Sequence, residues 1–276
     1  MRFSGEKKSA VVTAGNHKRF LEDILERTDE VERSASLLLV GGSSARHQAV
    51  RRAQAVVRMD QLASYWSHAA VILDWKRDAK RALGAEVTWE PVDPDQQVAE
   101  RNAVTLFPVD RYLDAEKYPN LALATFSFVS RKGPNESKGK AVDYRQAICD
   151  AVLHPNRDRF RYRFLDWLRI WGGYTYQPHG QPNPLLTEIP VPGAGLCEYA
   201  FEAAGIDLTP GATAPNACPE ILWSTLLYWY KNIGTHVGKV KVFKVIQDPA
   251  CRARKTLSMS LQEDMAKGMH RRARAR

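Results

Sequence analysis

One cysteine in this sequence lies where a nucleophile would be expected. Cys197 follows a stretch rich in proline and glycine, and it opens the predicted helix LCEYAFEAAG. A helix N-terminus presents free backbone N–H groups and a partial positive charge, which favour a thiolate and can bind an oxyanion. Cys197 is therefore the candidate nucleophile, and a small buried apolar side chain is the competing interpretation.

The candidate base is His68, the first residue of the apolar segment HAAVILDW, which predicts a buried strand. A general base must lie within hydrogen-bond reach of the nucleophile, and a rigid strand can hold it there. A strand-edge histidine bonded to a backbone carbonyl is the alternative. If His68 is the base, Cys197 should be the most reactive of the four cysteines, with a lowered thiol pKa.

A carboxylate that accepts the second ring N–H of a histidine fixes its tautomer and stabilises the imidazolium. The segment EVTWEPV alternates with a period of two, so Glu86, Thr88 and Glu90 share one face of a predicted strand. Periodicity does not choose among these three residues. For each carboxylate, exposure to solvent is the alternative.

The elements that would position these residues are a β-rich first half and a mostly helical second half. Apolar or alternating runs predict strands, and amphipathic spacing predicts helices. The predicted strands are SLLLVGG, HAAVILDW, EVTWEPV, VTLFPVDRYL, NLALATFSFV and GKVKVFKVI, and the predicted helices cover 17–35, 45–58, 142–154, 157–171, the segment after Cys197 and PEILWSTLLYWYKN. This order predicts the α+β class.

In this order, the motifs resemble those of circularly permuted papain-like NlpC/P60 proteins, in particular the YiiX/YebB-like hydrolases related to the lecithin:retinol acyltransferase-like group. The resemblance covers about residues 35–230, and histidine precedes cysteine, as in the permuted order. The matching motifs are LLLVGGSS, SHAAVI from Ser67, VTWE ending at Glu90, PVDRYL from Pro108, Tyr162, LCEYAF from Leu196, GIDL from Gly205 and PEIL from Pro219. The family's usual Ser-Glu after the cysteine is Glu198-Tyr199 here.

The resemblance implies an antiparallel sheet packed against helices, with the nucleophile at a helix N-terminus. It implies a cysteine hydrolase in which Cys197 forms a thioester with an amide or ester substrate, His68 takes the thiol proton and Glu90 orients His68. Tyr162, Ser67 and Glu198 are expected to line the substrate or contact the oxyanion. The expected substrates are peptides, peptidoglycan fragments or lipid-acyl groups, and neither a metal nor an organic cofactor is required.

The predicted boundaries are an N-terminal helical extension over 1–34, the hydrolase domain over 35–250 and a basic tail over 251–276. The formal charge is +9, of which five positive charges lie in the last ten residues, leaving +4 elsewhere. The tail could contact an anionic partner. The alternative function is therefore a noncatalytic binding or structural protein that keeps the fold and presents a basic surface to nucleic acid or a protein partner.

The cysteine spacing and the apolar segments limit the remaining classes. The four cysteines form no CxxC pair, so no metal site is predicted. The longest apolar stretches are well short of the roughly 20 residues that span a bilayer, and the first 20 residues lack the apolar core of a signal peptide. A cytoplasmic protein without a transmembrane segment is expected, with export by a route that uses no cleaved signal left open.

Overall fold

The described residues include nine strands, six α-helices with defined bounds and a further helical stretch at 169–174. The computed structural model describes residues 11–58, 60–76, 78, 81–87, 101–102, 104–128, 143–154, 162–163, 169–174, 182–187, 191–209, 217–231, 238–249 and 251. The strands are β1 Val12–Ala14, β2 Ser36–Gly41, β3 His68–Asp74, β4 Leu83–Glu86, β5 Arg101–Asn102, β6 Thr105–Pro108, β7 Asn120–Phe126, β8 Tyr162–Arg163 and β9 Val240–Ile246. The helices are α1 His17–Arg27, α2 Glu30–Arg33, α3 Ala45–Ala53, α4 Tyr144–Leu153, α5 Pro192–Glu202 and α6 Pro219–Lys231.

Seven of the strands form one mixed sheet in the order β1-β9-β7-β2-β3-β4-β6. β1 runs parallel to β9, and the other neighbouring strands of this sheet are antiparallel. β5 and β8 form a separate antiparallel pair. Strands and helices thus build the α+β class that the sequence predicts.

Both faces of the central strands are covered, which explains why β2, β3 and β7 are mostly apolar. Leu37 and Leu39 of β2 belong to a buried cluster that includes side chains of α4, α5 and α6, and this side is named the α5 face. Leu38 and Val40 belong to a second cluster with Phe20 and Ile24 of α1, and this side is named the α1 face. Helix α5 packs directly on β3.

The N-terminal segment belongs to this packed unit. β1 pairs with β9, and Phe20 and Ile24 of α1 are 1% and 0% exposed. Residues 12–33 thus pack on the rest of the described fold. The sequence analysis had assigned residues 1–34 to an N-terminal extension. At the other end, Cys251 is buried and its sulfur accepts a hydrogen bond from Arg51. Residues 252–276 of the predicted tail lie outside the described residues.

Most of the predicted strands are present, but two boundaries that matter for the site differ. β4 ends at Glu86, the residue at which the predicted strand EVTWEPV begins. Helix α5 begins at Pro192, five residues before Cys197, so the predicted placement of Cys197 in the first turn was wrong. Proline suits the first helical position because its missing N–H would have no partner there. Within the described chain, no helix has the length and apolar character needed to cross a membrane.

Candidate functional site

His68 is held at the start of β3 by a buried carboxylate. The side chain of His68 is nearly inaccessible, and its Nε2 donates to Oε2 of Glu86 over 2.8 Å. The register pairs Val71 with Ala85. One residue further along, Glu86 lies across from Ala70 and therefore diagonally from His68 on the same face, within reach of a long side chain.

Two further side chains fix the Glu86 carboxylate, which is itself fully buried. Arg111 donates to Oε1 over 2.8 Å, and the hydroxyl of Tyr112 donates to Oε2. Both residues come from the short helical turn Val109–Tyr112 that follows β6. Burial, and then the nearby charge of Glu86, raises the pKa of Tyr112 well above its usual value. Opposite charge and several donors are what a buried carboxylate requires, so this network is a stable, ordered support for His68.

The preference for Glu90 over Glu86 was therefore wrong. Glu90 lies outside the described residues, and the hydrogen bond from His68 goes to Glu86. The two carboxylates share a face in any strand of period two, so only the pairing register of β4 with β3 could distinguish them. The supporting roles of Arg111 and Tyr112 were missed, although both belong to the PVDRYL motif that follows a predicted strand.

On its other side, the imidazole of His68 faces the backbone of Gly193 in the first turn of α5. A Cβ atom built on Gly193 would lie 2.9 Å from Nδ1 and 2.7 Å from Cε1 of His68, and 2.2 Å from the carbonyl oxygen of Ala69. Real Cβ contacts are longer than this, so the helix approaches β3 this closely only because residue 193 has no side chain. The residue beside the free ring nitrogen of the His–Glu pair is a glycine, which carries no nucleophile.

Cys197 lies one turn further along α5 and has no polar contact with His68. It is fully buried in the cluster on the α5 face, whereas the ring of His68 contacts Tyr112 in the cluster on the α1 face. Among the hydrogen bonds of the described residues, none joins Cys197 to His68. Burial, and then the charge of Glu198, raises the pKa of the Cys197 thiol. The structure does not support the predicted lowering of this pKa, because Cys197 lies beyond the first turn of α5 and is surrounded by apolar side chains.

The other three residues predicted for the site have separate positions. The hydroxyl of Ser67 donates to the carbonyl of Val40, accepts from the N–H of Gly42 and lies 2.7 Å from Nδ1 of His47, so it ties the end of β2 to α3. Tyr162 lies in β8, and its side chain is outside the described residues. Glu198 is buried on α5, and burial raises its pKa to about 7. None of these three residues is shown to contact His68.

The burial of the thiols predicts a different order of reactivity from the one expected from the sequence. Burial is the main cause that raises the pKa of each of the four thiols, to about 12 for Cys218. Only Cys149 is partly exposed, so we expect iodoacetamide at pH 8 to modify Cys149 first and Cys197 at least tenfold more slowly. Peptide mapping by mass spectrometry measures the four rates, and in guanidinium chloride they should converge. Faster labelling of Cys197 than of Cys149 in the folded protein would restore it as the nucleophile.

The described part of the chain contains no group of three or more His, Cys, Asp or Glu side chains arranged to hold a metal ion. The ordered polar centre consists of His68, Glu86, Arg111 and Tyr112. The backbone of Gly193 in α5 lies against the imidazole of His68. Such a centre can hold and orient a proton, but it offers no side-chain nucleophile at the free ring nitrogen.

No protein-family model and no curated protein matches this chain.

Proposed function

We propose that this chain is a noncatalytic binding or structural protein that keeps a permuted papain-like fold and its His–Glu pair. The observation that carries the proposal is Gly193 against Nδ1 of His68. In a cysteine–histidine pair, the sulfur has to lie at the ring nitrogen that the orienting carboxylate leaves free. In this structure Gly193, which has no side chain, lies beside that nitrogen.

Three features support the papain-like part of the proposal: the antiparallel strands β3 and β4, the helix α5 and their order in the chain. A helix packs across the strand that carries the histidine, and its first turn meets the imidazole. A carboxylate on the next strand accepts from the other ring nitrogen. The histidine strand precedes the helix in the chain, which is the permuted order.

A cysteine hydrolase that uses Cys197 is the competing proposal, and the intact His68–Glu86 pair favours it. It requires the thiol to approach Nδ1 of His68, because Cys197 is four residues beyond Gly193, about 6 Å along the helix axis at the usual rise per residue. The thiol would also have to leave a cluster in which it is fully buried. Peptides, peptidoglycan fragments and lipid-acyl esters remain the substrate classes of that competing function.

An anionic partner suits the noncatalytic function. The chain carries a formal charge of +9, with five of these charges in its last ten residues. Clustered basic residues bind polyanions mainly by releasing condensed counterions, so the affinity depends steeply on salt. We therefore propose nucleic acid, or an acidic protein surface, as the partner of this basic segment in a cytoplasmic setting.

The test compares turnover in three forms of the full chain: wild type, Cys197→Ala and His68→Gln. Peptide amides, peptidoglycan fragments and acyl esters should be hydrolysed by all three at the uncatalysed rate. Turnover by the wild type that is lost in Cys197→Ala would overturn the noncatalytic proposal. In parallel, binding of a fluorescent oligonucleotide should weaken at least tenfold between 50 and 200 mM salt, as expected when several phosphates are neutralised. Salt-independent binding, or none, would exclude nucleic acid as the partner.

A further inference from the structure

Glu198 on α5 is a buried carboxyl group with an unsatisfied oxygen. The residue is 5% exposed, and its Oε2 is a buried atom without a hydrogen-bond partner. A buried carboxylate without compensation is costly, so such a group either pairs with a cation or takes up a proton. Which of these applies follows from the groups around it.

The titratable groups that face Glu198 are acidic or neutral. Glu202 and Cys197 come from its own helix, and Asp207 comes from the segment after the helix. Thr209 of that segment is neutral and donates to Glu198, which lowers the pKa of Glu198 by less than burial raises it. No ion pair of the described residues includes Glu198, and the described chain has no group of side chains suited to a metal. Burial and the acidic neighbours therefore favour the protonated form of this carboxyl group.

Charged groups on the neighbouring elements are engaged elsewhere. On α4, Arg145 donates to the carbonyl of Phe126 and lies over the ring of Phe128. Asp150 of the same helix accepts from Gln146. On β3, His68 donates to Glu86. Neither neighbouring element brings a cation to Glu198.

The chain after α5 folds back on the helix, and Thr209 of this segment donates to the Glu198 carboxyl group. Gly205 adopts φ +76, and the N–H of Ile206 donates to the carbonyl of Phe201 over 2.9 Å, which reverses the chain as in many glycine-terminated helices. Ile206, Leu208 and Thr209 are then buried, at 1%, 0% and 0% exposed. The segment 206–209 therefore closes over the C-terminal half of α5.

We propose that Glu198 is a pH-sensitive lock on this segment: the neutral carboxyl group lets 206–209 pack against α5, and its ionisation loosens that packing. Ionisation would place a charge beside Asp207 and Glu202 at a site without a cation, and water reaches the carboxylate most directly if 206–209 lifts. This conformational device is independent of whether the chain is catalytic, because it involves neither His68 nor Gly193.

The direction of the pH dependence follows from the pKa. The folded protein raises the pKa of Glu198 from 4.5 to about 7, so the folded state binds a proton that the unfolded chain has already released. The contribution to stability is complete below about pH 4.5, falls between pH 4.5 and 7, and levels off above 7. A change of this size corresponds to at most about 300-fold in the folding equilibrium constant.

Urea unfolding of the full chain at pH 5, 6, 7 and 8 tests the lock with Glu198→Gln, a neutral side chain of the same size. From pH 5 to pH 8, the folding constant of the wild type should fall at least tenfold relative to that of Glu198→Gln. The matched control is Glu26→Gln, an exposed carboxylate on α1 that is not among the groups that raise the pKa of Glu198, and it should stay within threefold of the wild type throughout. Parallel pH profiles for the wild type and Glu198→Gln would overturn the proposal.

Hydrogen exchange of the wild type gives a second measurement that needs no variant. The amides of residues 206–209 should have protection factors at least tenfold lower at pH 8 than at pH 6, after correction for intrinsic exchange. The amides of β2 and β7 serve as the internal reference, since both strands lie in the centre of the sheet. Unchanged protection of 206–209 over this range, or an equal change in the reference strands, would show that Glu198 locks nothing locally.

Discussion

Replacing Gly193 with alanine is expected to lower the free energy of unfolding by about 3 kcal/mol, the upper part of the range for overpacking a tight interior site. The added Cβ would lie 2.2 Å from the carbonyl oxygen of Ala69. That oxygen belongs to the backbone of a central strand, so it cannot rotate away as a side chain could. Either α5 moves off β3 or the strand distorts, and each change disturbs a buried cluster.

Gly172 provides the matched control. It is also helical, and a Cβ built on it meets no atom within 4 Å. Gly172→Ala should be neutral or should stabilise the protein by up to about 1 kcal/mol, because alanine has the higher helix propensity. Urea denaturation of both variants and the wild type measures the difference. A Gly193→Ala variant within 0.5 kcal/mol of the wild type, a margin typical of surface substitutions, would mean that α5 does not approach His68 this closely.

The same contact explains why the start of helix α5 was predicted about one turn too late. Pro192, Gly193 and Gly195 have low helix propensity, so the segment was expected to be a loop ending at Cys197. In the fold, the helix includes all three residues. Close packing of a helix on a strand favours residues without a side chain, and this tertiary effect outweighs local propensity. In the sequence, the glycine after Pro192 was the available sign that the segment packs closely against a strand.

The strands of the sheet were easier to predict than their register. The continuous apolar runs of β2, β3 and β7 arise because two layers cover them, and such runs are visible in the sequence. β1 has only three residues, and nothing in so short a segment predicts that it pairs with β9 at the far end of the chain. The choice between Glu86 and Glu90 failed for the same reason, since it depends on which residues of two strands lie opposite each other.

Replacing Arg51 with methionine is expected to lower the free energy of unfolding by about 3–5 kcal/mol, the usual cost of removing one partner of a buried ion pair. Arg51 is 1% exposed, and its guanidinium lies 2.7 Å from Oδ2 of Asp248. It also donates to the sulfur of Cys251 over 2.7 Å and to the carbonyl of Ser64 over 2.8 Å. One side chain thus joins α3, the segment before β3 and the segment after β9.

The neighbouring exposed residue supplies the control, since Arg52→Met removes the same charge from the surface of α3 and should change stability by less than about 0.5 kcal/mol. A double variant, Arg51→Met with Asp248→Asn, separates the ion pair from packing. If the broken ion pair with Asp248 causes most of the loss, the double variant should be at least 1 kcal/mol more stable than Arg51→Met alone, within the range of couplings between contacting residues. Additive losses would instead assign the effect to the hydrogen bonds with Ser64 and Cys251. A loss as small as that of Arg52→Met would show that the segment 248–251 is not anchored through Arg51, and the C-terminal limit of the folded unit would then lie at the end of β9.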